Sequence, residues 1–230
     1  MSAKIILPRY TVKLPSTGKS VQFRPYTVKE EKAILLALQE ANIETMAIAI
    51  KNVVSICSDG KLDPDQMPYY DVEYLFLQIR SKSVGEVLEL IGSCDCDPKN
   101  KTEFSVDIAT AKVEPTPSGT KQLKIVDTQY TIEFRHPSID DIVATFNSGG
   151  DTSEEVVANC IVKVYTDDEV MDWSKEEKLE FVESMTSRQQ KNIAEFLQDM
   201  PMVKLSAPYT CRHCSKEHIN VLSGFENFFV

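Results

Sequence analysis

The stretch Cys211-Arg212-His213-Cys214 places two cysteines in a short Cys-x-x-Cys turn near the end of the chain. Such turns commonly supply half of a structural zinc site, because Zn²⁺ takes four ligands in a tetrahedron and cysteine sulfur suits it well. A redox-active pair normally opens a helix, whose dipole stabilises the thiolate, but the residues after Cys214 alternate like a strand. The stretch therefore favours metal binding, and it requires a second pair of ligands.

The second pair lies at Cys94-Asp95-Cys96, one residue tighter than the usual zinc turn. In each half of the chain, a run of helices ends in a cysteine turn that leads into a strand. We therefore predict one structural zinc ion with four ligands, namely Cys94, Cys96, Cys211 and Cys214. His213 and His218 are alternative ligands. A shell filled by four sulfurs would leave no open position for a catalytic water.

The predicted elements around these turns run in the order strands, helices, strands, helices, strands, without the βα alternation of a parallel sheet. Alternating residues around a turn predict hairpins at 10–14 with 20–25 and at 123–126 with 130–134. The fold class expected is α+β, mostly helical, with antiparallel hairpins and a zinc-ribbon-like module formed by the two remote cysteine turns. A linker at 114–121 separates residues 1–113 from 122–230, and whether the two parts pack as one domain is left open.

Several Ser/Thr-x-x-Glu/Gln patterns predict helix starts by the capping box, in which two side chains satisfy the free N–H groups of the first turn. Ser174 with Glu177 is one of them, and Ser138 with Asp141 is a similar pattern. Thr27 with Glu30 begins a long helix or a bent pair of helices. Ser83 with Glu86 predicts that a second helix, starting near Val72, breaks and restarts at Val84. Ser187 with Gln190 begins the last helix.

The composition favours a soluble intracellular protein. The chain has 230 residues, of which 42% are hydrophobic and 26% charged, so a folded core is expected. A net charge of -10 without a basic stripe disfavours nucleic acid and anionic membranes as partners. No apolar run approaches the roughly 20 residues of a membrane helix, and no signal peptide is evident. In a reducing compartment the six cysteines are expected to be thiols or metal ligands.

Sequence signatures of catalysis are missing. The chain contains no phosphate-binding glycine loop and no nucleophile elbow, and His136 before Pro137 is interpreted as a capping or surface histidine rather than a catalytic base. We therefore expect no enzymatic activity and no small-molecule substrate. The C-terminal tail carries three aromatic residues, Phe225, Phe228 and Phe229, which either fold back onto the core or bind a partner protein.

Several segments together resemble the baseplate hub assembly protein of T-even-type contractile-tailed bacteriophages. They include Leu14–Lys19 and Phe23–Lys32 near the start, and Arg80–Glu86 shortly before the first cysteine pair. The ending resembles the family as well, through Cys211, Cys214, His218 and the run from Leu222 to Phe229.

This resemblance implies a role in building the central hub of the phage tail baseplate, as an assembly factor or as a hub component. It implies other baseplate hub proteins as partners, in the host cytoplasm during assembly or in the virion tail baseplate. The alternative from another class is a zinc-ribbon regulatory module that contacts nucleic acid or a polymerase.

Overall fold

The structure is a computed structural model that describes residues 5–116, 121–147, 154–198 and 201–224. The helices are α1 (Val28–Glu40), α2 (Ile43–Cys57), α3 (Tyr69–Ser83), α4 (Ile139–Asn147), α5 (Glu154–Cys160), α6 (Lys175–Glu183) and α7 (Ser187–Gln198). The strands are β1 (Tyr10–Lys13), β2 (Ser20–Phe23), β3 (Val87–Cys94), β4 (Asp97–Asp107), β5 (Lys112–Glu114), β6 (Lys121–Lys124), β7 (Thr131–Phe134), β8 (Ile161–Tyr165), β9 (Val170–Met171), β10 (Met202–Thr210) and β11 (Glu217–Leu222).

The α+β class is confirmed, because these helices are accompanied by four antiparallel sheets. The expectation of a mostly helical chain is wrong: 41% of the described residues are helical and 28% lie in strands. One reason is that the chain after Ser83 continues as strands β3 and β4 instead of restarting a helix at Val84. Within the described ranges, no helix has both the length and the apolarity needed to cross a bilayer.

The N-terminal core is formed by the β1–β2 hairpin, α1, α2 and one face of α3. Both predicted features at its start are confirmed, since β1 pairs with β2 and Thr27 with Glu30 forms the capping box of α1. The helix pair is bent apart at Ala41, which ends α1 in the left-handed conformation, and Asn42 caps α2. Fully buried Ile50 and Val54 of α2 lie at the centre of this core.

Helix α3 lies between two hydrophobic cores. Its residues Val72 and Phe76 pack into the N-terminal core, whereas Tyr70 and Leu77 pack into a second core against strands. Even the carboxyl group of Asp71 is buried in its first turn, where it accepts hydrogen bonds from the backbone N–H and hydroxyl of Ser16. A helix buried all round must have apolar residues on several faces, which explains its weak amphipathic pattern.

The second core is closed by two sheets. One is the β3–β4 hairpin, and the other has the strand order β11-β10-β5. Leu88 and Leu90 of β3 meet Val203 and Leu205 of β10 in this core. The two cysteine turns lie at the ends of these sheets, so the second core positions the candidate site.

The third core belongs to the middle and later part of the chain. The sheet β6-β7-β8-β9 is covered by α5, α6 and α7, with Ile132, Phe134 and Ile193 in the centre. The predicted hairpin at 123–126 with 130–134 corresponds to β6 and β7, which pair in antiparallel fashion. The proposed division of the chain at 114–121 stays a prediction.

One of the predicted helix starts is wrong and another has its cap displaced by one residue, whereas the predicted capping box of Ser174 with Glu177 is present at α6. At Ser83 the hydroxyl donates to the Ile79 carbonyl and accepts from the Tyr26 N–H, while Glu86 pairs with Lys82. The chain therefore leaves α3 at Ser83 and enters β3 instead of restarting a helix. At α7 the reciprocal cap is made one residue earlier than predicted, by Thr186 and Gln189.

Candidate metal centre

The candidate metal centre lies where the turns of two antiparallel hairpins face each other. In the first hairpin Cys94 is the last residue of β3, and Cys96 lies in the tight turn before β4. The register shifts between Ser93 and Cys94, so the shorter Cys-x-Cys spacing coincides with an irregularity in the β ladder. The hairpin turn thus places two sulfurs on one side within three residues.

The second hairpin joins β10 to β11 through Cys211, Cys214 and Ser215. The Cys211 N–H donates to the Lys216 carbonyl (2.9 Å), and the Ser215 N–H donates to the Cys211 carbonyl (3.0 Å). Ser215 has a φ of 58°, the left-handed conformation that closes the turn. As predicted, strands flank this cysteine pair on both sides, and no helix begins at it.

The two hairpins bring the four cysteine sulfurs together, at positions that are far apart in sequence. All four Sγ atoms lie within 4.8 Å of one another. The Cys94 and Cys214 sulfurs are 3.6 Å apart, and those of Cys96 and Cys211 are 3.7 Å apart. A regular tetrahedron with Zn–S bonds of about 2.3 Å has sulfurs about 3.8 Å apart. The sulfurs are therefore close enough to bind one metal ion.

The site has a buried side and an exposed side. Cys94 and Cys211 are buried, at 4% and 1% exposure, while Cys96 and Cys214 are exposed. Backbone N–H groups of Cys214 and His213 donate to the Cys211 sulfur and lower its pKa to about 6. Hydrogen bonding, first with the Cys94 sulfur, raises the pKa of Cys96 to about 12. A divalent ion would replace the shared protons of such a cluster, since it binds thiolates.

An aromatic stack beside the sulfurs joins the two hairpins. The Tyr209 ring lies between Phe104 (centroids 4.5 Å apart) and His218 (5.0 Å), nearly parallel to both. The Tyr209 hydroxyl donates to the Ser93 carbonyl at 2.7 Å. These contacts orient β10 and β11 against β3 and β4 next to the cysteines.

Gly92 and Tyr209 are parts of the site that the sequence analysis missed. A Cβ atom at Gly92 would lie 2.5 Å from Cζ of Tyr209, so this position in β3 admits only glycine while the ring stays in place. A glycine inside an alternating strand often marks such a close approach, and this signal was present in the sequence.

The remaining predicted site residues lie outside the four-sulfur cluster or outside the described residues. His213 is exposed, and His218 lies in β11 with Nε2 at 3.2 Å from the Cys94 sulfur. Phe225, Phe228 and Phe229 lie outside the described residues. Cys57 and Cys160 are fully buried outside the cluster, where they serve as packing residues, and burial raises their pKa values to about 11 and about 12.

Comparison with known proteins gives one family. Residues 7–230 match the sequence model of the family described as T4 bacteriophage base plate protein. The match covers nearly the whole chain. No curated protein and no solved structure gave a match. The matched range includes both hairpins of the four-sulfur cluster.

Proposed function

The chain belongs to the T4 bacteriophage base plate protein family, and on that premise we propose that it is an assembly factor or a component of the central hub of the tail baseplate. It acts by binding other baseplate hub proteins rather than by catalysis. The family match over residues 7–230 is the observation that supports this proposal most directly. We place it in the virion tail baseplate if it is a resident component, and in the host cytoplasm during assembly if it is an assembly factor.

We further propose that the four-sulfur cluster binds a structural zinc ion. Cys94, Cys96, Cys211 and Cys214 would supply the ligands, and the ion would crosslink the two hairpins. Zinc suits the cluster because four thiolates fill a tetrahedral shell, and such closed sites serve structure. The resulting rigid end of the second core would give partners a fixed surface.

The metal proposal is tested on the purified full chain by metal analysis and by replacement with Co²⁺. One zinc per chain and the absorption spectrum of a cobalt tetrathiolate are expected. Replacing Cys94 and Cys211 with serine should abolish both signals. Cys57→Ala and Cys160→Ala remove thiols outside the cluster and should leave both signals unchanged. A metal-free wild-type protein that is fully folded would contradict the proposal.

The baseplate role is tested by affinity purification of the tagged chain from phage-infected cells, followed by identification of the co-purified proteins. Baseplate hub proteins are expected in the eluate of the wild-type chain. A density map of intact baseplates then distinguishes a resident component from an assembly factor that leaves. If no baseplate protein co-purifies and the chain has no density in the baseplate, the proposed role is wrong.

The aromatic tail is proposed as one partner-binding element, on sequence grounds. Phe225, Phe228 and Phe229 are aromatic residues, a type that is enriched in the cores of protein interfaces. Replacing all three with alanine should reduce the recovery of hub proteins without reducing zinc content. A gel shift at low salt tests the alternative of a nucleic-acid-binding module, for which tight and salt-sensitive binding would be required.

A further inference from the structure

His218 contacts the cysteine cluster without being part of it. Its Nε2 atom is 3.2 Å from the Cys94 sulfur, a hydrogen-bond distance for nitrogen and sulfur. Among the described residues, the set of ligand atoms lying within 4.8 Å of one another consists of the four cysteine sulfurs alone. We infer that His218 is a positioning residue, which donates its Nε2–H to the Cys94 thiolate. This inference rests on the proposed zinc site.

The imidazole ring of His218 is oriented by its neighbours. It faces Tyr209 across the β10–β11 ladder, and the two rings stack with an interplanar angle of 13°. Tyr209 is itself fixed by stacking on Phe104 and by its hydrogen bond to the Ser93 carbonyl. The donor therefore reaches the sulfur from a preorganised position, as hydrogen-bonding partners of metal ligands usually do.

The burial of the sulfurs explains why Cys94 requires a donor from the protein. Four thiolates around Zn²⁺ carry a net charge of −2, and hydrogen bonds to sulfur spread this excess charge. Water can supply such bonds to the exposed residues Cys96 and Cys214. It cannot do so for the two buried residues, Cys94 and Cys211.

Each buried sulfur has its own donors in the protein. The Cys211 sulfur accepts from the backbone N–H groups of His213 and Cys214, while the Cys94 sulfur has the imidazole of His218. The two histidines near the turn, His213 and His218, therefore have different roles. His213 contributes through its backbone, whereas His218 contributes through its side chain.

Two substitutions of His218 separate the effect of its hydrogen bond to the Cys94 sulfur from the effect of its stacking on Tyr209. His218→Phe keeps a ring that can stack on Tyr209 but removes the N–H donor. His218→Gln removes the ring and keeps an amide N–H at a similar distance from the backbone. The matched control is His213→Phe, the same change at the exposed neighbouring histidine.

Zinc affinity is measured on each full-length variant by competition with a chelator of known affinity, together with the Co²⁺ spectrum. His218→Phe should bind zinc about 10- to 100-fold more weakly than the wild type, with a tetrathiolate spectrum retained. His218→Gln and His213→Phe should stay within a few-fold of the wild type. Circular dichroism checks that each variant is folded.

Three results would overturn the assignment. The first is that His218→Phe binds zinc as tightly as the wild type. The second is that His218→Phe and His218→Gln weaken zinc binding equally, and the third is that the wild-type cobalt spectrum shows three thiolates and one nitrogen. The first two leave the zinc site intact and refute only the donor role. A wild-type chain that binds no zinc at all would instead refute the site on which this inference rests.

Discussion

At the scale of single residues, Glu30 shows how a local sequence pattern becomes a stabilising electrostatic network. Its carboxylate accepts from the Thr27 N–H and hydroxyl and pairs with Arg24 at 3.0 Å. Burial opposes the charged form, but these hydrogen bonds outweigh it and lower the pKa of Glu30 to about 2. The ionised carboxylate therefore stabilises the folded state.

Glu30→Gln should lower the free energy of unfolding at pH 7 by about 2 kcal/mol. Because folding lowers the pKa of Glu30, the stabilisation is fully present at pH values above the ordinary glutamate pKa of 4.5. It is lost as the pH falls towards the folded pKa of about 2. Urea unfolding at several pH values should show the two proteins converging below pH 4.5. Glu31→Gln, a change in the same helical turn outside the network with Arg24, is the control. A difference that does not depend on pH would contradict this interpretation.

The residue scale also shows what sequence can and cannot predict. The pairing of Thr27 with Glu30 follows from a spacing of three residues, since helix geometry alone brings them together. The buried Asp71 and its hydrogen bonds to Ser16 could not be predicted, because the partners are brought together by the packing of α3 against the β1–β2 turn. Local geometry is encoded locally, whereas long-range partners depend on the whole fold.

At the scale of elements, the end of α1 offers a test of backbone strain. Ala41 has a φ of 49° at the C-cap, a conformation that costs an alanine roughly 1 kcal/mol and a glycine almost nothing. Ala41→Gly should therefore raise the free energy of unfolding by up to about 1 kcal/mol. Ala33→Gly, at an exposed position within the same helix, should lower it by about 1 kcal/mol. Changes of the same sign in both variants would show that the left-handed cap is not strained.

The contact between strand β3 and Tyr209 gives a second test at this scale. Gly92→Ala would place a methyl group against a ring that is held between Phe104 and His218, so the ring cannot easily move. We expect a loss of about 1–3 kcal/mol in the free energy of unfolding, measured with urea. In a Tyr209→Ala background the same change should cost much less. Equal costs in both backgrounds would show that the ring is not the cause.

Elements with strong alternation or local caps were predicted, and those that depend on partners were not. The hairpin β1–β2, the flanks of Cys211 and Cys214, and the start of α1 all follow from short-range patterns. The segment after Ser83 has a capping pattern too, yet it becomes strand β3, because Leu88 and Leu90 are needed on one face of the second core. Tertiary packing overrides the local signal there.

At the scale of the whole molecule, the proposed zinc would connect two hairpins whose cysteines are 115 positions apart. Closing so long a segment removes entropy from the unfolded chain, and a ligand bound only by the folded state stabilises it by mass action. When free zinc is present at 100 times its dissociation constant, binding raises the free energy of unfolding by about 2.7 kcal/mol.

Removing zinc with a chelator should therefore lower the melting temperature of the wild type by roughly 5–10 °C. Readding zinc should restore it in a concentration-dependent manner. The Cys94→Ser variant should melt at the lower temperature and respond to neither treatment, whereas Cys57→Ala should keep the full response. A chelator effect of equal size in Cys94→Ser would place the stabilising metal elsewhere.

The candidate site was predictable in its residues but not in its construction. Two cysteine pairs in turns indicate metal ligands by their residue type and spacing. The stack of Phe104, Tyr209 and His218, which joins the hairpins, comes from three separate strands or strand ends and has no short-range signature. The stack forms because the register of β10 with β11 places Tyr209 opposite His218.

The position of α3 between two cores has a consequence for synthesis on the ribosome. One face of the helix can be covered as soon as α1 and α2 exist. The other is covered in part by residues translated soon after it, such as Leu88 and Val106, and its cover is completed only by β10, which is translated roughly 120 residues after α3 ends. At about 5–20 residues per second, that apolar face stays only partly covered for on the order of ten seconds. A nascent chain arrested before residue 202 should accordingly recruit holdase chaperones, and the full chain released from the ribosome should not bind them.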